Sequence, residues 1–149
     1  MDFRMRSVVD IAIEADREKA AELFSDPGNN PKWMLDLERY EPISGEQGVA
    51  GSTYRLITKD MTFVATVVSR QMPDRVSLLL DSDSVTVSID VEFARLPPGS
   101  TRLVSTEVFR FKGLLGKVTG LFARRSIHSV HRQQMEAFKR FAENRPPLA

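Results

Sequence analysis

The sequence predicts an α+β fold in which a curved antiparallel sheet of about seven strands wraps around a long C-terminal helix. Six strand-like segments follow one another between residues 38 and 112, and the turns that separate them are short. Strands joined by short turns pair antiparallel. The last segment, from about Leu114 to Asn144, is long enough for a helix that spans a whole sheet. One strand and two short helices are predicted before these segments.

Size and composition exclude several kinds of site. A chain of 149 residues and 16.8 kDa is the size of one domain, which we assign to residues 1–149. The chain has no cysteine and two histidines. Disulfides, thiolate ligands, cysteine nucleophiles and a three-histidine metal site are therefore excluded. We expect no bound metal and no cofactor.

Positive charge is concentrated near the C-terminus. The net charge is +1, but the segment from Arg110 to Arg145 contains nine cationic and two acidic residues. Such a segment is typical of a surface that binds nucleic acid or an anionic membrane, and equally of a basic helix packed beside an acidic sheet. No aromatic residues are interleaved with the cations as a base-stacking platform, so we expect no nucleic-acid partner.

The first part of the chain predicts a strand and two short helices. The segment from Arg4 to Ala15 alternates around β-branched residues and predicts a strand. Asp16 can cap a helix over Arg17–Ser25, and a second helix from Pro31 to about Leu37 carries the single tryptophan, Trp33. The first residues have no apolar leader, and no segment is long and apolar enough to span a membrane. We therefore expect a cytoplasmic protein.

The six following strands are predicted from alternation and from turn residues. Alternation is clearest over residues 85–93, where apolar residues occupy the odd positions, as in a sheet with one buried face. Glycines between Gly45 and Gly51 are flanked by strands, so we interpret them as a hairpin turn rather than a phosphate loop. The strands are approximately Glu38–Ser44, Ser52–Thr58, Met61–Gln71, Val76–Asp81, Ser84–Leu96 and Arg102–Lys112.

The long helix has two apolar faces that do not align. The apolar residues from Ile127 to Phe141 share one side at 100° per residue, whereas those between Leu114 and Phe122 lie on another side. Two explanations fit this pattern. Either the helix breaks or bends between Gly120 and Arg125, which we favour, or an apolar patch over Leu114–Arg125 faces outward. Such a patch would serve as a portal, a dimer contact or a transient membrane contact.

Several short motifs occur in an order that resembles a known family. They are Glu18-Lys-Ala-Ala-Glu-Leu-Phe-Ser-Asp-Pro27, Pro31-Lys32-Trp33, Gly48-Val-Ala-Gly51-Ser-Thr-Tyr54, Pro73-Asp-Arg-Val76, Gly99-Ser-Thr-Arg-Leu103 and Met135-Glu-Ala-Phe-Lys-Arg-Phe-Ala-Glu143. Over nearly its whole length the chain resembles the START-like helix-grip superfamily (SRPBCC), and most closely its polyketide cyclase/dehydrase-type branch. The resemblance implies a deep cavity between the sheet and the long helix. It also implies a ligand such as a lipid, sterol, polyketide, quinone or plant hormone, and in some members cyclisation or dehydration of the ligand.

Strand alternation selects the side chains that would face such a cavity. We place the apolar positions of each strand inward and the lysine and arginine positions outward. The expected partner is a hydrophobic small molecule, and the protein itself would be a monomer or a homodimer. The expected ligand contacts are Trp33, Tyr54, Phe63, Leu78, Leu80, Ile89, Val91, Glu107, Phe109, Val130, His131, Gln134 and Phe138.

Two titratable residues in this set are candidates for catalysis. Glu107 shares the odd positions of the last strand with apolar residues, and a desolvated carboxyl has a raised pKa that suits a general acid or base. The alternatives for Glu107 are a pair with a nearby cation or a bulge that turns it outward. His131 lies about 60° from the middle of the apolar helix face, so we expect it to reach the cavity.

His128 lies near the opposite side, and the divergence of the two histidines argues against a zinc site. Gln134, at the centre of the face, is expected to bond a ligand, an ordered water, Glu107 or a strand hydroxyl.

Three functions remain open at this point. The first is non-enzymatic binding or transport of a hydrophobic small molecule. The second is a cyclase- or dehydratase-type enzyme that uses Glu107 and His131 as acid and base, with Tyr54 as a hydrogen-bond donor. The third is a membrane-surface or protein-interaction module built on Leu114–Arg125. A fold class alone does not choose among them.

Overall fold

The computed structural model describes residues 3–148, and for residues 3 and 114–125 it describes the backbone alone. The predicted α+β class is confirmed, and each predicted strand ends within two residues of its observed bounds. The elements are β1 (Phe3–Ile13), α1 (Arg17–Ser25), a 3-10 helix (Pro27–Asn29), α2 (Asn30–Trp33), β2 (Leu37–Ser44), β3 (Thr53–Thr58), β4 (Thr62–Gln71), β5 (Arg75–Asp81), β6 (Val85–Leu96), β7 (Ser100–Phe111) and α3 (Gly113–Ala142).

The strands form one antiparallel sheet in the order β1-β7-β6-β5-β4-β3-β2. The register at the centre of β7 positions the interior. Glu107 lies opposite Ser7 of β1 on one side and opposite Ile89 of β6 on the other. Paired residues on neighbouring strands project from the same face of a sheet. These three side chains therefore form a row on the inner face.

The two short helices join the opposite edges of the sheet, because β1 and β2 are the edge strands. Asp16 caps α1 as predicted, and its carboxylate accepts a hydrogen bond from the Lys19 N–H at 2.8 Å. The second helix is shorter than predicted and ends at Trp33. The chain then turns toward β2, with Asp36 in the left-handed region at φ 61°, a conformation that a right-handed helix does not contain.

The C-terminal helix α3 runs without interruption from Gly113 to Ala142. A break between Gly120 and Arg125 is therefore excluded, and the alternative of a bend there stays a prediction. The surface patch predicted over Leu114–Arg125 lies outside the residues whose side chains are described. Beyond the helix, the Glu143 carboxylate accepts a hydrogen bond from the Glu14 N–H at 2.7 Å, which ties this end of the helix to the end of β1. In the described part of the chain, no helix has the length and apolar character needed to cross a bilayer.

The interior between the sheet and α3 is densely packed at one end. Four rings from α1, α2, β6 and α3 meet there, and we call Phe24, Trp33, Phe93 and Phe138 the aromatic cluster. The ring centroid of Phe24 lies 5.1 Å from that of Phe138, 5.7 Å from that of Trp33 and 5.9 Å from that of Phe93. Aromatic pairs at these separations stabilise a core beyond the area they bury.

Candidate functional site: a cavity with a buried carboxyl and imidazole

A cavity of about 330 Å³ lies between α3 and the inner face of strands β3 to β7. This volume is at the lower end of the roughly 300–1,000 Å³ that is usual for small-molecule sites. Most of its wall is made of apolar side chains. The predicted residues found in the wall are Trp33, Tyr54, Phe63, Leu78, Leu80, Ile89, Glu107, Phe109, Val130, His131 and Gln134.

Two residues of the predicted set lie outside the cavity. Val91 and Phe138 are fully buried in the core. Phe138 packs edge-on against Trp33, with the ring centroids 5.2 Å apart. Alternation placed both residues on inner faces, which is where they lie. The inner face continues beyond the cavity, however, to the end that α1 and α2 fill. Both residues therefore pack in the core and do not line the cavity.

The wall also contains residues that the strand and helix patterns missed. Asn30, Met34 and Leu35 come from α2 and from the loop that follows it. Leu35 is 40% exposed and Val130 is 51% exposed, although both are large apolar residues of the cavity wall. They mark the mouth of the cavity. The sequence did contain a signal for these wall residues. The prolines and the short helix before Leu35 predict a loop at this position, and a loop that follows a short helix can cover the open side of the sheet.

The carboxyl of Glu107 is set into the apolar wall, with its side chain 14% exposed. Burial raises its pKa from 4.5 to about 7, because little water remains to stabilise the carboxylate. Below pH 7 the group is mainly a neutral acid, which both donates and accepts hydrogen bonds. The pairing of β6 with β7 is regular around Glu107, so no bulge turns the side chain outward.

His131 lies beside Glu107 and is buried against the sheet. Its Nε2 is 3.7 Å from Glu107 Oε2, which is longer than a hydrogen bond, and 2.9 Å from Ser105 Oγ. Its Nδ1 is 2.8 Å from Ser7 Oγ. Burial lowers the pKa of His131 to about 4, and the charge of His128 acts in the same direction. Near pH 6 the site therefore holds a neutral carboxyl beside a neutral imidazole.

The prediction that the two histidines diverge is wrong. Its Nδ1 is 2.9 Å from Ser7 Oγ, so both histidines converge on one hydroxyl. Residues three apart on a helix are neighbours on its surface, which allows both rings to reach β1. His128 is otherwise exposed and does not line the cavity. Within the part of the chain that the structure describes, no three histidine, aspartate or glutamate side chains are grouped to hold a metal ion.

Gln134 bonds to a backbone segment that was not among its predicted protein partners. Its Oε1 accepts a hydrogen bond from the Leu35 N–H at 2.9 Å, and its Nε2 donates to the Leu35 carbonyl at 3.5 Å. These two contacts fasten the loop at the cavity mouth to α3. The glutamine thus links two parts of the wall.

Two further polar groups belong to the wall. Burial raises the pKa of Tyr54 to about 12, while a hydrogen bond with Asn30 acts the other way, so the phenol stays neutral at physiological pH. The Nε1–H of Trp33 is buried, and no side chain or backbone group of the described residues accepts its hydrogen bond. A buried donor without a partner costs about 1–3 kcal/mol. This N–H is enclosed by protein atoms, so the missing partner is a cost of packing around Trp33 and not a contact offered to a ligand.

A sheet that encloses a ligand-sized cavity against a C-terminal helix defines the helix-grip class of proteins, and this chain has that architecture. The chain belongs to the family described as polyketide cyclase/dehydrase and lipid transport, whose model matches residues 4–143. A search of curated proteins found no match.

Solved structures with the same fold include proteins of different kinds. A START superfamily protein from Mycobacterium smegmatis superposes with a TM-score of 0.80 at 16% identity, covering 93% of this chain and 97% of that chain. Truncated norcoclaurine synthase from Thalictrum flavum gives a TM-score of 0.73 at 10% identity, covering 97% of each chain. An aromatase/cyclase from a Streptomyces species gives 0.69 at 15% identity, covering 93% of this chain and 96% of that chain. At these identities the likeness establishes the fold alone.

Proposed function

We propose that the protein binds one small, mostly apolar, uncharged molecule that carries at least one polar group. The observation that carries this proposal is the largely buried Glu107 carboxyl in the wall of a mostly apolar cavity. Apolar burial supplies the driving force for such a ligand, at about 25 cal/mol per Å² before the costs of binding. The carboxyl supplies orientation, since it is placed to bond one polar group of the ligand.

The charge of the wall argues against an anionic ligand. Among the described residues that line the cavity there is no lysine or arginine, and His131 is neutral near physiological pH. A ligand carboxylate or phosphate would therefore be desolvated beside Glu107 without a compensating cation, which is unfavourable. A hydroxyl or carbonyl group avoids this cost. A hydroxyl can donate to or accept from the Glu107 carboxyl, and a carbonyl can accept from it when it is protonated.

The first test is native mass spectrometry of freshly purified protein, paired with a denatured sample. A co-purified molecule that denaturation releases would support the proposal and would identify the ligand. The matched variants are Ile89→Phe, which adds volume inside the cavity, and Val68→Phe, which adds the same ring to an outer-face position that is 58% exposed. We expect the bound mass to disappear in Ile89→Phe and to persist in Val68→Phe. Equal retention of the ligand in both variants would contradict binding in this cavity.

A second candidate function is acid–base catalysis on the bound molecule. It is favoured by one observation, which is that the Glu107 carboxyl with a pKa of about 7 lies in the cavity wall beside the buried, neutral imidazole of His131. A group that titrates near the working pH is suited to proton transfer. The test is to incubate the released molecule with fresh protein and follow its mass and chromatographic retention. Conversion by the wild-type protein and none by Glu107→Gln, with binding retained, would support catalysis. Equal conversion by both would remove Glu107 from the reaction.

A further inference from the structure

The hydroxyl of Ser7 lies between two imidazoles. Its Oγ is 2.9 Å from His128 Nδ1 and 2.8 Å from His131 Nδ1. A hydroxyl has a single proton, so it donates to one of these nitrogens and must accept from the other. Whenever both bonds are formed, one histidine has a proton on Nδ1 and the other has a bare Nδ1. The protonation patterns of the two rings are therefore linked through Ser7.

The second nitrogen of His131 extends this chain to the cavity. Its Nε2 is 2.9 Å from Ser105 Oγ and 3.7 Å from Glu107 Oε2. The Ser105 hydroxyl is compatible with both patterns, since it donates to a bare Nε2 and accepts from a protonated one. A movement of less than about 1 Å brings Nε2 within hydrogen-bond distance of the carboxyl. A series of polar groups thus runs from exposed His128 to Glu107, and its last step, from His131 to Glu107, is the one that needs this movement.

We propose that His128, Ser7 and His131 form a proton relay between solvent and the Glu107 carboxyl. Neither Ser7 nor His128 lines the cavity, so this route does not pass through the cavity mouth. It therefore remains available when an apolar ligand fills the cavity and displaces water from Glu107. The relay goes beyond the proposed ligand binding and does not depend on it.

The transfer of one proton to Glu107 balances at every atom. Solvent protonates Nε2 of His128, which passes its Nδ1 proton to Ser7 while Ser7 passes its own proton to Nδ1 of His131. His131 then releases its Nε2 proton to the Glu107 carboxylate. At the end Glu107 is neutral, both rings are neutral, and Ser7 has its hydroxyl again. The protonated nitrogen has moved from Nδ1 to Nε2 in His128 and from Nε2 to Nδ1 in His131.

The ionisation state of Glu107 therefore determines which nitrogen of each histidine ring carries the proton. Of the elements packed around Glu107, β1 contributes Ser7 and β6 contributes Ile89, neither of which ionises, and α3 contributes His131. Tyr54 shares the cavity wall and stays neutral, because its pKa is about 12. Among the described residues that face Glu107, His131 is thus the group that responds to its ionisation.

The two histidines of the chain make this response measurable by NMR of ¹⁵N-histidine-labelled protein. The nitrogen resonances report which nitrogen of each ring carries the proton, and carboxyl-carbon labelling reports the ionisation of Glu107. We expect both rings to exchange their protonated nitrogen with the same midpoint as Glu107. A His128 ring that keeps its protonated nitrogen through the titration of Glu107 would overturn the proposal.

Three variants separate the relay from a structural role. In Ser7→Ala, the protonated nitrogen of His128 should no longer change when Glu107 titrates. In Ser7→Thr, which retains a hydroxyl, this change should return. In Glu107→Gln, which tests the relay without altering Ser7, the protonated nitrogen of both rings should no longer change over this pH range.

The rate of proton exchange at the Glu107 carboxyl, measured by carbon relaxation dispersion, should fall at least about tenfold in Ser7→Ala, equivalent to about 1.4 kcal/mol in barrier height. An unchanged rate in Ser7→Ala, or a His128 response that survives in Glu107→Gln, would contradict the relay.

Discussion

The two ends of the interior are covered by the same sheet and the same helix, and yet one end is packed and the other is open. At the packed end the aromatic cluster brings together four rings, and Phe138 of α3 is fully buried. At the open end Ser126 and Val130 of α3 are exposed and border the cavity. The difference arises from the two short helices, because Phe24 of α1 and Trp33 of α2 fill the packed end.

This contrast separates stability from binding. A buried ring in close contact contributes many dispersion contacts, whereas a side chain that borders empty space lacks partners on one side. We therefore expect truncations at the packed end to lower the free energy of unfolding, and truncations at the open end to change ligand affinity more than stability. Glu107 is the exception at the open end, because its buried carboxyl titrates and links stability to pH. Four predictions test this division, from the largest expected effect to the smallest.

Phe138→Ala should have the largest effect on stability. Removing a fully buried ring from the aromatic cluster should lower the free energy of unfolding by about 3–5 kcal/mol, because the cavity that remains cannot be filled by small movements. Phe63→Ala is the matched control, since Phe63 already borders the cavity. It should cost less than about 2 kcal/mol. Urea unfolding of both variants measures the difference, and equal losses would show that the two ends do not differ in packing.

Glu107→Gln should change the dependence of stability on pH. The pKa of Glu107 is raised from 4.5 to about 7, so the folded state binds more protons than the unfolded state between these values. The contribution of Glu107 to stability is therefore full below pH 4.5 and is lost as the pH rises through 7. Glutamine stays neutral, so the variant should match the wild-type protein near pH 4.5 and exceed it at pH 8 by an amount of the order of 3 kcal/mol.

His131 provides the opposite slope in the same experiment. Its pKa is lowered from 6.5 to about 4, so its contribution to stability is full above pH 6.5 and is lost as the pH falls through 4. In the wild-type protein this rise with pH opposes the fall due to Glu107. Glu107→Gln should expose it as a steeper gain in stability between pH 4 and 6.5. Unfolding curves of the variant from pH 4 to 8 show this gain directly. In the wild type minus variant difference, His131 and the other carboxylates cancel, so that difference reports Glu107 alone. A difference that stays flat from pH 4.5 to 8 would contradict the burial of the Glu107 carboxyl.

Asp16→Ala should weaken the packed end alone. The Asp16 carboxylate accepts a hydrogen bond from the Lys19 N–H at the start of α1, and loss of such a cap costs about 1 kcal/mol. Because α1 supports the aromatic cluster rather than the cavity mouth, the affinity of the co-purified ligand should change less than twofold. Thermal unfolding and a binding titration provide the two measurements. A large loss of affinity with unchanged stability would reverse the assignment.

Gln134→Ala should have the smallest effect on stability and should act at the open end. It removes two exposed hydrogen bonds to Leu35, which together contribute no more than about 1 kcal/mol. The loop at the cavity mouth would open more often, so hydrogen exchange at the Leu35 amide should accelerate severalfold while amides of β6 and β7 stay unchanged. Glu136→Ala, on the same helix, is the control. Unaltered exchange at Leu35 would show that these bonds do not hold the loop.

Much of the fold was predictable because the signals are local. Alternation in β6 and β7 follows from the two-residue period of a strand, and the cap at Asp16 depends on residues three positions apart. Alternation also correctly assigned Glu107 to an inner face, since the cations of β7 occupy the other face. These inferences need no knowledge of which elements meet.

Several features of the candidate site depend instead on which elements meet. Angular arithmetic on α3 gave the direction of His128 relative to an apolar face, but that ring turns to a serine of β1, more than a hundred residues away. Gln134 finds its partner in the loop after α2, whose position follows from the short second helix. Long-range partners of this kind are set by packing, and a periodic pattern in one element contains no information about them.

The sequence alone therefore determines the strands and their inner faces, because both follow from periodicity within a segment. It also indicates a helical C-terminal segment, although the misaligned apolar faces of that segment did not reveal that the helix is continuous. The boundary between packed core and cavity follows from the assembled structure. Val91 and Ile89 are two residues apart on one face of β6 and have the same apolar character, yet Val91 lies in the core and Ile89 lines the cavity. What differs is the layer above them, which α1 and α2 provide at one end and leave open at the other.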